Sequence, residues 1–249
     1  GFQNQRRSED SQQKIQEKAL KCGVDKTAPV NKLQGFLDDV KKQGRKVHFL
    51  PPYRGKNVIK LEKLTGISAQ KIQNYCSAEL IKAVIGLRSV KESCEIDEIK
   101  IACGLGYNMH LSAMQMAMPG IWEQYITGTL EGIAAGGGGR ISFPIILTQR
   151  GETLHNHDHS GFLEEGKLLL TDAGAESPMH YASDFTRTVP VGGKFTLKQK
   201  EIYDIVLATN NMVKELIKPD VTFLSVHLGA AEVIASGLKE LGLMKGDVK

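Results

Sequence analysis

The stretch DAGAESPMHYASD, residues 172–184, decides the fold. Asp172 ends the apolar run LLLT, and Asp184 stands in the strand-like segment that follows. A hairpin that turns around Ser177, Pro178 and Met179 would place Asp172 directly opposite Asp184 on one face of a sheet. Opposite Cβ atoms lie about 4.5–5.5 Å apart, so the two carboxylates would repel each other unless something neutralised them.

Three neutralising arrangements fit this spacing. Two divalent ions could share the carboxylate oxygens, the pair could hold a proton, or the nearby Arg187 could compensate the charge. A hairpin with two surface aspartates is also common, so spacing alone leaves these alternatives open.

Strand-like segments continue on both sides of this pair. Apolar runs separated by turn signals such as Arg150-Gly151, Glu165-Gly166 and Ser177-Pro178 predict an antiparallel sheet. The segments are ISFPIILTQ (141–149), GETLHNH (151–157), GKLLLTDAGAE (166–176) and HYASDFTRTVPV (180–191).

Helical patterns enclose the strands. We expect a long helix that starts at Ser93 and runs towards Pro119, and then a second helix over 121–135. After the strands, the 3.6-residue spacing of apolar residues predicts helices from Thr196 to residue 217 and over 223–242. This order of helices, strands and helices indicates an α+β fold.

The first part of the chain has its own pattern. Helices are predicted over 8–21 and 30–43, the second ended by Gly44, and RKVHFLP (45–51) is predicted to be a short buried strand. A small α/β unit is therefore expected, with a boundary near LRSVKESCEIDEIK.

The segment TLHNHDHSG (153–161) places histidines at every second position. On a strand, His155, His157 and His159 would share one face, and three imidazoles could bind a metal ion by themselves.

Composition is that of a soluble globular protein, with 41% hydrophobic and 24% charged residues. No apolar run is long enough for a transmembrane helix, and no signal peptide opens the chain, so neither a membrane nor secretion is predicted. The four cysteines form no CxxC pair, which favours reduced thiols in the cytoplasm.

Charge is unevenly distributed along the chain. Residues 1–92 hold 19 basic and 9 acidic residues, and residues 93–249 hold 13 and 19. The basic residues are scattered with little aromatic interleaving, so a solvated helical surface is favoured over a nucleic-acid interface. The acidic second part suits a cation site.

DAGAE, followed by HYASDFTRTVPVGGKFT and KQKEIYDIV, resembles the pita-bread metallopeptidases of family M24. Within that family, the segment is most similar to the branch of aminopeptidase P (Xaa-Pro aminopeptidase) and prolidase. The resemblance runs from about residue 24 to the end. It implies that residues 1–90 are part of a smaller creatinase-like N-terminal domain with its linker. It also implies that residues 91–249 are the first portion of the pita-bread catalytic domain.

The resemblance assigns roles position by position. Asp172 matches the aspartate that binds one metal ion, Asp184 matches the aspartate that bridges both ions, and His155 matches a histidine that contacts substrate. Thr186 and Arg187 would support them. The family's usual spacing between the aspartates is eleven residues and here it is twelve, so we expect the turn to absorb the extra residue, with Pro178 at its tip.

The family's remaining ligands, one histidine and two glutamates, are not matched in this sequence. His227, Glu232 and Glu240 lie on a predicted helix rather than on the required strands. The chain is therefore expected to be an internal fragment that holds its metal ions incompletely and is inactive or nearly so by itself.

For the intact protein, the resemblance implies a metal-dependent aminopeptidase that cleaves before proline in a cytoplasmic homodimer or larger homo-oligomer. Two divalent ions are expected, with Mn²⁺ favoured by the carboxylate ligands and Zn²⁺ or Co²⁺ as alternatives. The partner is a peptide substrate, not nucleic acid or membrane. The competing hypotheses are a prolidase, which takes only dipeptides, and a pseudo-peptidase that binds protein partners.

Overall fold

The structure, a computed structural model, describes residues 13–248. The described chain separates into two compact units that divide between Lys91 and Glu92. None of its helices is long and apolar enough to cross a membrane.

The first unit contains helices and connecting segments. Residues 13–21 form α1, and the first residues of the helix predicted over 8–21 lie outside the described chain. The other helices are α2 (Leu33–Lys42), α3 (Gly55–Thr65) and α4 (Ala78–Ser89), with 3₁₀ turns at Val30–Lys32 and Ile72–Tyr75. α2 ends as predicted before Gly44, whose φ of 71° suits glycine.

The strand predicted over 45–51 is wrong. These residues are neither helix nor strand, although Phe49 is buried as its apolar pattern indicated. The Phe49 carbonyl accepts a hydrogen bond from Ser77 N, the residue that caps α4, at 3.1 Å. A strand needs a ladder partner, and the described part of this unit offers none, so the segment packs as extended chain.

The second unit begins with two helices. α5 (Ser93–Gln115) starts with a capping box in which Glu92 and Glu95 satisfy each other's backbone amides. α6 (Glu123–Gly136) follows, with Trp122 at its N-cap. Both agree with the helices expected from sequence.

A three-stranded antiparallel sheet follows, in the order β1-β2-β3. The strands are β1 (Ile146–Thr148), β2 (Leu168–Ala173) and β3 (Phe185–Pro190). β1 is much shorter than the predicted strand 141–149, because residues 142–145 leave the ladder and only Ile141 forms an isolated bridge, to Ala175. The strand predicted over 151–157 is wrong, since that segment is a series of turns.

The core lies between one face of this sheet and α5 and α6. α5 approaches closely because Gly106 faces the sheet: a Cβ at this position would lie 2.7 Å from Ser183 Oγ. The last two helices are α7 (Leu197–Leu216) and α8 (Phe223–Glu240), and they pack against each other. Thr196, the predicted start of α7, is its N-cap. The core residues of the sheet and first helix pair are Met109, Ala113, Ala117, Ile126, Leu130, Ala134, Ile145, Leu147, Leu163, Leu169, Ala173, Ala175 and Val191.

Candidate metal site

The β2–β3 hairpin places Asp172 and Asp184 on the same face of the sheet but not opposite each other. Asp172 pairs with Thr186, and Asp184 stands two residues before Thr186. The aspartates are therefore diagonal neighbours, whose Cα atoms typically lie about 7–8 Å apart. The predicted direct pairing of the two aspartates was wrong by two residues of register. The predicted shared face was correct, because side chains alternate along a strand and a two-residue shift keeps Asp184 on the same face.

The turn explains this register. The strands keep the same register from Leu168↔Pro190 to the isolated bridge Glu176↔Ala182, so no bulge interrupts the pairing. The turn therefore accommodates the extra residue between the aspartates, as expected. Ser177 holds the turn through its backbone amide, which donates to Tyr181 O at 2.7 Å. The hairpin is consequently centred on Met179 rather than on Pro178.

The hairpin is also tied to the start of α5. Tyr181 Oη donates to Glu95 Oε1 at 2.9 Å. This bond to a carboxylate raises the pKa of the Tyr181 phenol above its ordinary value, with burial as a smaller cause. This hydrogen bond anchors the end of the hairpin near Asp184 to the start of α5.

The Asp172 carboxylate has the property expected of a cation ligand. Its Oδ1 atom is shielded from solvent and has no hydrogen-bond partner among the described residues. A buried oxygen of this kind is costly unless a donor or a cation satisfies it. Asp184 is exposed at the same face, so the two side chains fit the carboxylate part of a divalent-ion site.

The rest of a metal site is not assembled within residues 13–248. No group of three or more His, Cys, Asp or Glu side chains in this range could hold a metal ion. His227, Glu232 and Glu240 lie on α8, as predicted. Two aspartates alone therefore form an incomplete ligand set.

Arg187 does not neutralise the aspartates. It follows Thr186 by one residue on β3, so its side chain projects from the helix-covered face, away from Asp172. Its guanidinium lies over the Phe185 ring at 5.9 Å and donates to Thr186 O at 2.7 Å. Of the three neutralising arrangements, the one with Arg187 is therefore wrong.

The three alternating histidines do not share a strand face. His155 is exposed and sits in a turn with φ of 51°, while His157 and His159 donate to the Ile145 and Leu147 carbonyls at 3.4 and 3.0 Å. The latter two thereby attach the loop to β1, which excludes the hypothesis of a zinc site on one strand. Among the described residues, no hydrogen bond or ion pair joins His155 to either aspartate.

His110 on α5 is a buried residue beside the site, and no sequence pattern predicted its burial. It is only 5% exposed, and its Nε2 donates to Ala173 O, next to Asp172, at 3.1 Å. The Phe185 ring packs edge-on at 6.2 Å. Burial lowers the pKa of the imidazole below its ordinary value, so the neutral form is favoured.

Comparison with known proteins identifies the family. The model of metallopeptidase family M24 matches residues 97–246, and the chain therefore belongs to this family. The chain is 35% identical to the Xaa-Pro aminopeptidase of Escherichia coli (strain K12) over 165 residues, which cover 65% of the chain and 37% of that protein. The chain thus spans little more than a third of the length of this relative.

Solved structures agree. Pseudomonas aeruginosa aminopeptidase PepP superposes with a TM-score of 0.78 at 26% identity, covering 94% of this chain and 55% of that one. Zinc-substituted Escherichia coli aminopeptidase P in complex with product has a TM-score of 0.75 at 30% identity, covering 91% and 53%. These likenesses confirm the predicted α+β class and the pita-bread assignment.

Proposed function

We propose that this chain is part of a metal-dependent aminopeptidase that releases the N-terminal residue from peptides with proline in second position. The observation that carries the proposal is the Asp172–Asp184 pair on one sheet face, with an unpartnered buried oxygen on Asp172. Membership of family M24 and similarity to relatives named Xaa-Pro aminopeptidase support the chemistry and the substrate class.

Asp172 and Asp184 would hold the divalent ions in this proposal. Mn²⁺ is preferred because carboxylates are hard oxygen ligands, although one relative has been solved with zinc. Such ions, when bound, polarise a peptide carbonyl and lower the pKa of a bound water. The ligand set becomes complete only with groups beyond the two aspartates, so we propose that the chain by itself binds metal weakly and hydrolyses peptides slowly or not at all.

The residues of the chain would orient and assist the substrate. His155 is exposed on a loop, so its imidazole is free to donate a hydrogen bond to the substrate oxygen that gains charge during hydrolysis. His110 would hold β2 in position from the helix-covered face of the sheet, through its hydrogen bond to Ala173 O. A cytoplasmic location and a homodimer or larger assembly remain predictions.

The test uses the complete gene product and this chain side by side, each with Mn²⁺. Release of the first residue from Xaa-Pro-Xaa tripeptides by the complete product supports the proposal, and loss of that activity in Asp172→Asn and Asp184→Asn assigns the ligands. Hydrolysis restricted to Xaa-Pro dipeptides would establish a prolidase instead. Absence of metal binding or of peptide hydrolysis in a folded complete product would favour the pseudo-peptidase.

A further inference from the structure

A cavity of about 380 Å³ lies beside the ends of β1 and β2 that are remote from the hairpin turn. Lys167, which immediately precedes β2, lines it, whereas Asp172 is five residues further along at about 3.3 Å per residue. Neither aspartate of the candidate metal site contributes to its wall. The loop over 150–162 and the first residue of α6 form most of the cavity.

Glu123 is the buried acidic group of this cavity. It is 4% exposed, and its Oε1 accepts a hydrogen bond from Gln149 N at 3.0 Å. An acidic residue in the first turn of α6 also interacts favourably with the helix dipole. These structural roles account for Oε1 but leave Oε2 without a hydrogen-bond partner among the described residues.

Gly161 keeps this oxygen uncovered. A Cβ on Gly161 would lie 3.0 Å from Glu123 Oε2 and 3.2 Å from Cδ. Any larger residue would therefore close the wall over the carboxylate. The glycine and the buried carboxylate together leave an acceptor facing the cavity.

The other polar groups of the wall are largely satisfied by each other. The Gln149 side chain accepts from Glu164 N at 2.6 Å and donates to Phe162 O at 2.9 Å. Asn156 Nδ2 donates to Thr148 Oγ1 at 3.1 Å.

Arg150 pairs with Glu152 at 3.3 Å, and Lys167 adds a second basic group to the wall. The buried acceptor that remains is Glu123 Oε2, and its complement is a cation with N–H donors.

The charge and shape of the wall select among cations. Four acidic side chains and two basic ones line the cavity, but no group of three His, Cys, Asp or Glu in residues 13–248 could hold a metal ion. The volume exceeds that of a bare ion and falls in the range of small-ligand sites. The largely exposed ring of Phe162 offers an apolar surface beside the carboxylate.

We propose that this cavity binds a primary alkylammonium ion, with the ammonium group at Glu123 Oε2 and the methylene chain against Phe162. Three N–H donors suit a single free carboxylate oxygen with neighbouring acceptors, and the apolar ring shields the methylene chain from water. Either a free amine or a lysine side chain of a peptide supplies this chemistry. The proposal does not depend on peptidase activity or on bound metal.

Fluorescence of the single tryptophan measures the binding. Trp122 stacks on Phe162 with ring centroids 6.2 Å apart and an interplanar angle of 21°. The chain is titrated in EDTA with n-butylammonium and with Nα-acetyl-lysine N-methylamide. The neutral isosteres n-butanol and Nα-acetyl-norleucine N-methylamide serve as controls. A saturable change in Trp122 fluorescence is expected with the two ammonium probes and not with the neutral isosteres. The ammonium probe that binds more tightly identifies the natural source.

Two substitutions test the assignment. Glu123→Gln retains an oxygen that accepts from Gln149 N but removes the charge, and about tenfold or greater weakening is expected. Glu131→Gln, on an exposed position of the same helix, should bind like the parent chain. Gly161→Ala should also weaken binding by covering Oε2, and it decides the matter if Glu123→Gln does not fold.

Three results would overturn the proposal: no saturable response to either ammonium probe, an equal response to the neutral isosteres, or unchanged affinity in folded Glu123→Gln and Gly161→Ala. None of these results bears on the metal site, because the titration contains EDTA and measures no hydrolysis.

Discussion

Asp172 Oδ1 is a buried carboxylate oxygen for which the described chain supplies no donor. The sequence predicted that this residue and Asp184 share one face of a sheet, because Asp172 ends a strand-like apolar run and Asp184 stands in the next strand-like segment. It could not predict the diagonal arrangement, since that depends on how Ser177 closes the turn. His110 stayed hidden for a related reason: burial of one helical histidine is decided by which helix face meets the sheet.

The first prediction concerns metal binding by the two aspartates. In Mn²⁺ at about ten times its dissociation constant, the chain should gain about 1.4 kcal/mol in free energy of unfolding. Asp172→Asn and Asp184→Asn should each abolish the gain, because each removes a charged ligand. Asp97→Asn, an exposed position on α5, is the matched control. Thermal melts with and without Mn²⁺ measure the effect, and an equal gain in all variants would argue against this site.

The second prediction concerns the pH dependence introduced by His110. Its pKa in the folded chain is lowered from 6.5 by burial, so the unfolded chain binds a proton first as the pH falls. The stabilising contribution of His110 is therefore fully present above about pH 6.5. It decreases as the pH falls below 6.5, until the pKa of the folded chain is reached. The slope from one group is at most about 1.4 kcal/mol per pH unit.

Denaturant unfolding of the parent chain and of His110→Gln between pH 5 and pH 8 measures this contribution. The variant should lose less stability than the parent as the pH falls through 6.5, and the comparison cancels the titration of the other histidines. Parallel curves for the two proteins would contradict the assignment.

At the scale of elements, long helices were the most predictable feature. α5, α6, α7 and α8 each carry apolar periodicity over at least 14 residues, and caps such as Thr196 mark their starts. The short strands were less predictable, because a three-residue strand such as β1 cannot be distinguished from the extended chain around it. The alternation in TLHNH imitated a strand, although residues 151–155 form turns. His157 and His159 bond to the carbonyls of Ile145 and Leu147.

The third prediction concerns the close approach of α5 to the sheet. Gly106→Ala should destabilise the chain by about 1–3 kcal/mol, because the new Cβ would lie 2.7 Å from Ser183 Oγ and 3.0 Å from the Phe185 ring. Gly104→Ala is the matched control in the same helix, with no atom within 4 Å of its Cβ. That control should stabilise the chain by up to about 1 kcal/mol through helix propensity. Urea unfolding compares them, and a stabilised Gly106→Ala would show that the approach is looser than described.

At the scale of the whole molecule, apolar side chains on α7 and α8 remain open to solvent. Val206 is 57% exposed and Leu228 is 57% exposed, although both helices are amphipathic and pack against each other. The 3.6-residue spacing of apolar residues places Val206 on the apolar face of α7, and in the described chain that side chain is not covered. Exposed apolar residues that lie on adjacent helices favour association between molecules.

The fourth prediction is that this chain self-associates in solution. Burial of apolar surface between molecules contributes about 25 cal/mol of favourable free energy per Å² to association. The weight-average mass of the chain should therefore rise with concentration. The double substitution Val206→Lys with Leu228→Lys should reduce the association, since it places charges on both helices. Leu87→Lys is the control, because Leu87 is 81% exposed on α4 in the other unit. Sedimentation equilibrium distinguishes the outcomes: a mass independent of concentration in the parent chain, or an equal reduction by the control, would show that the α7–α8 surface does not drive association.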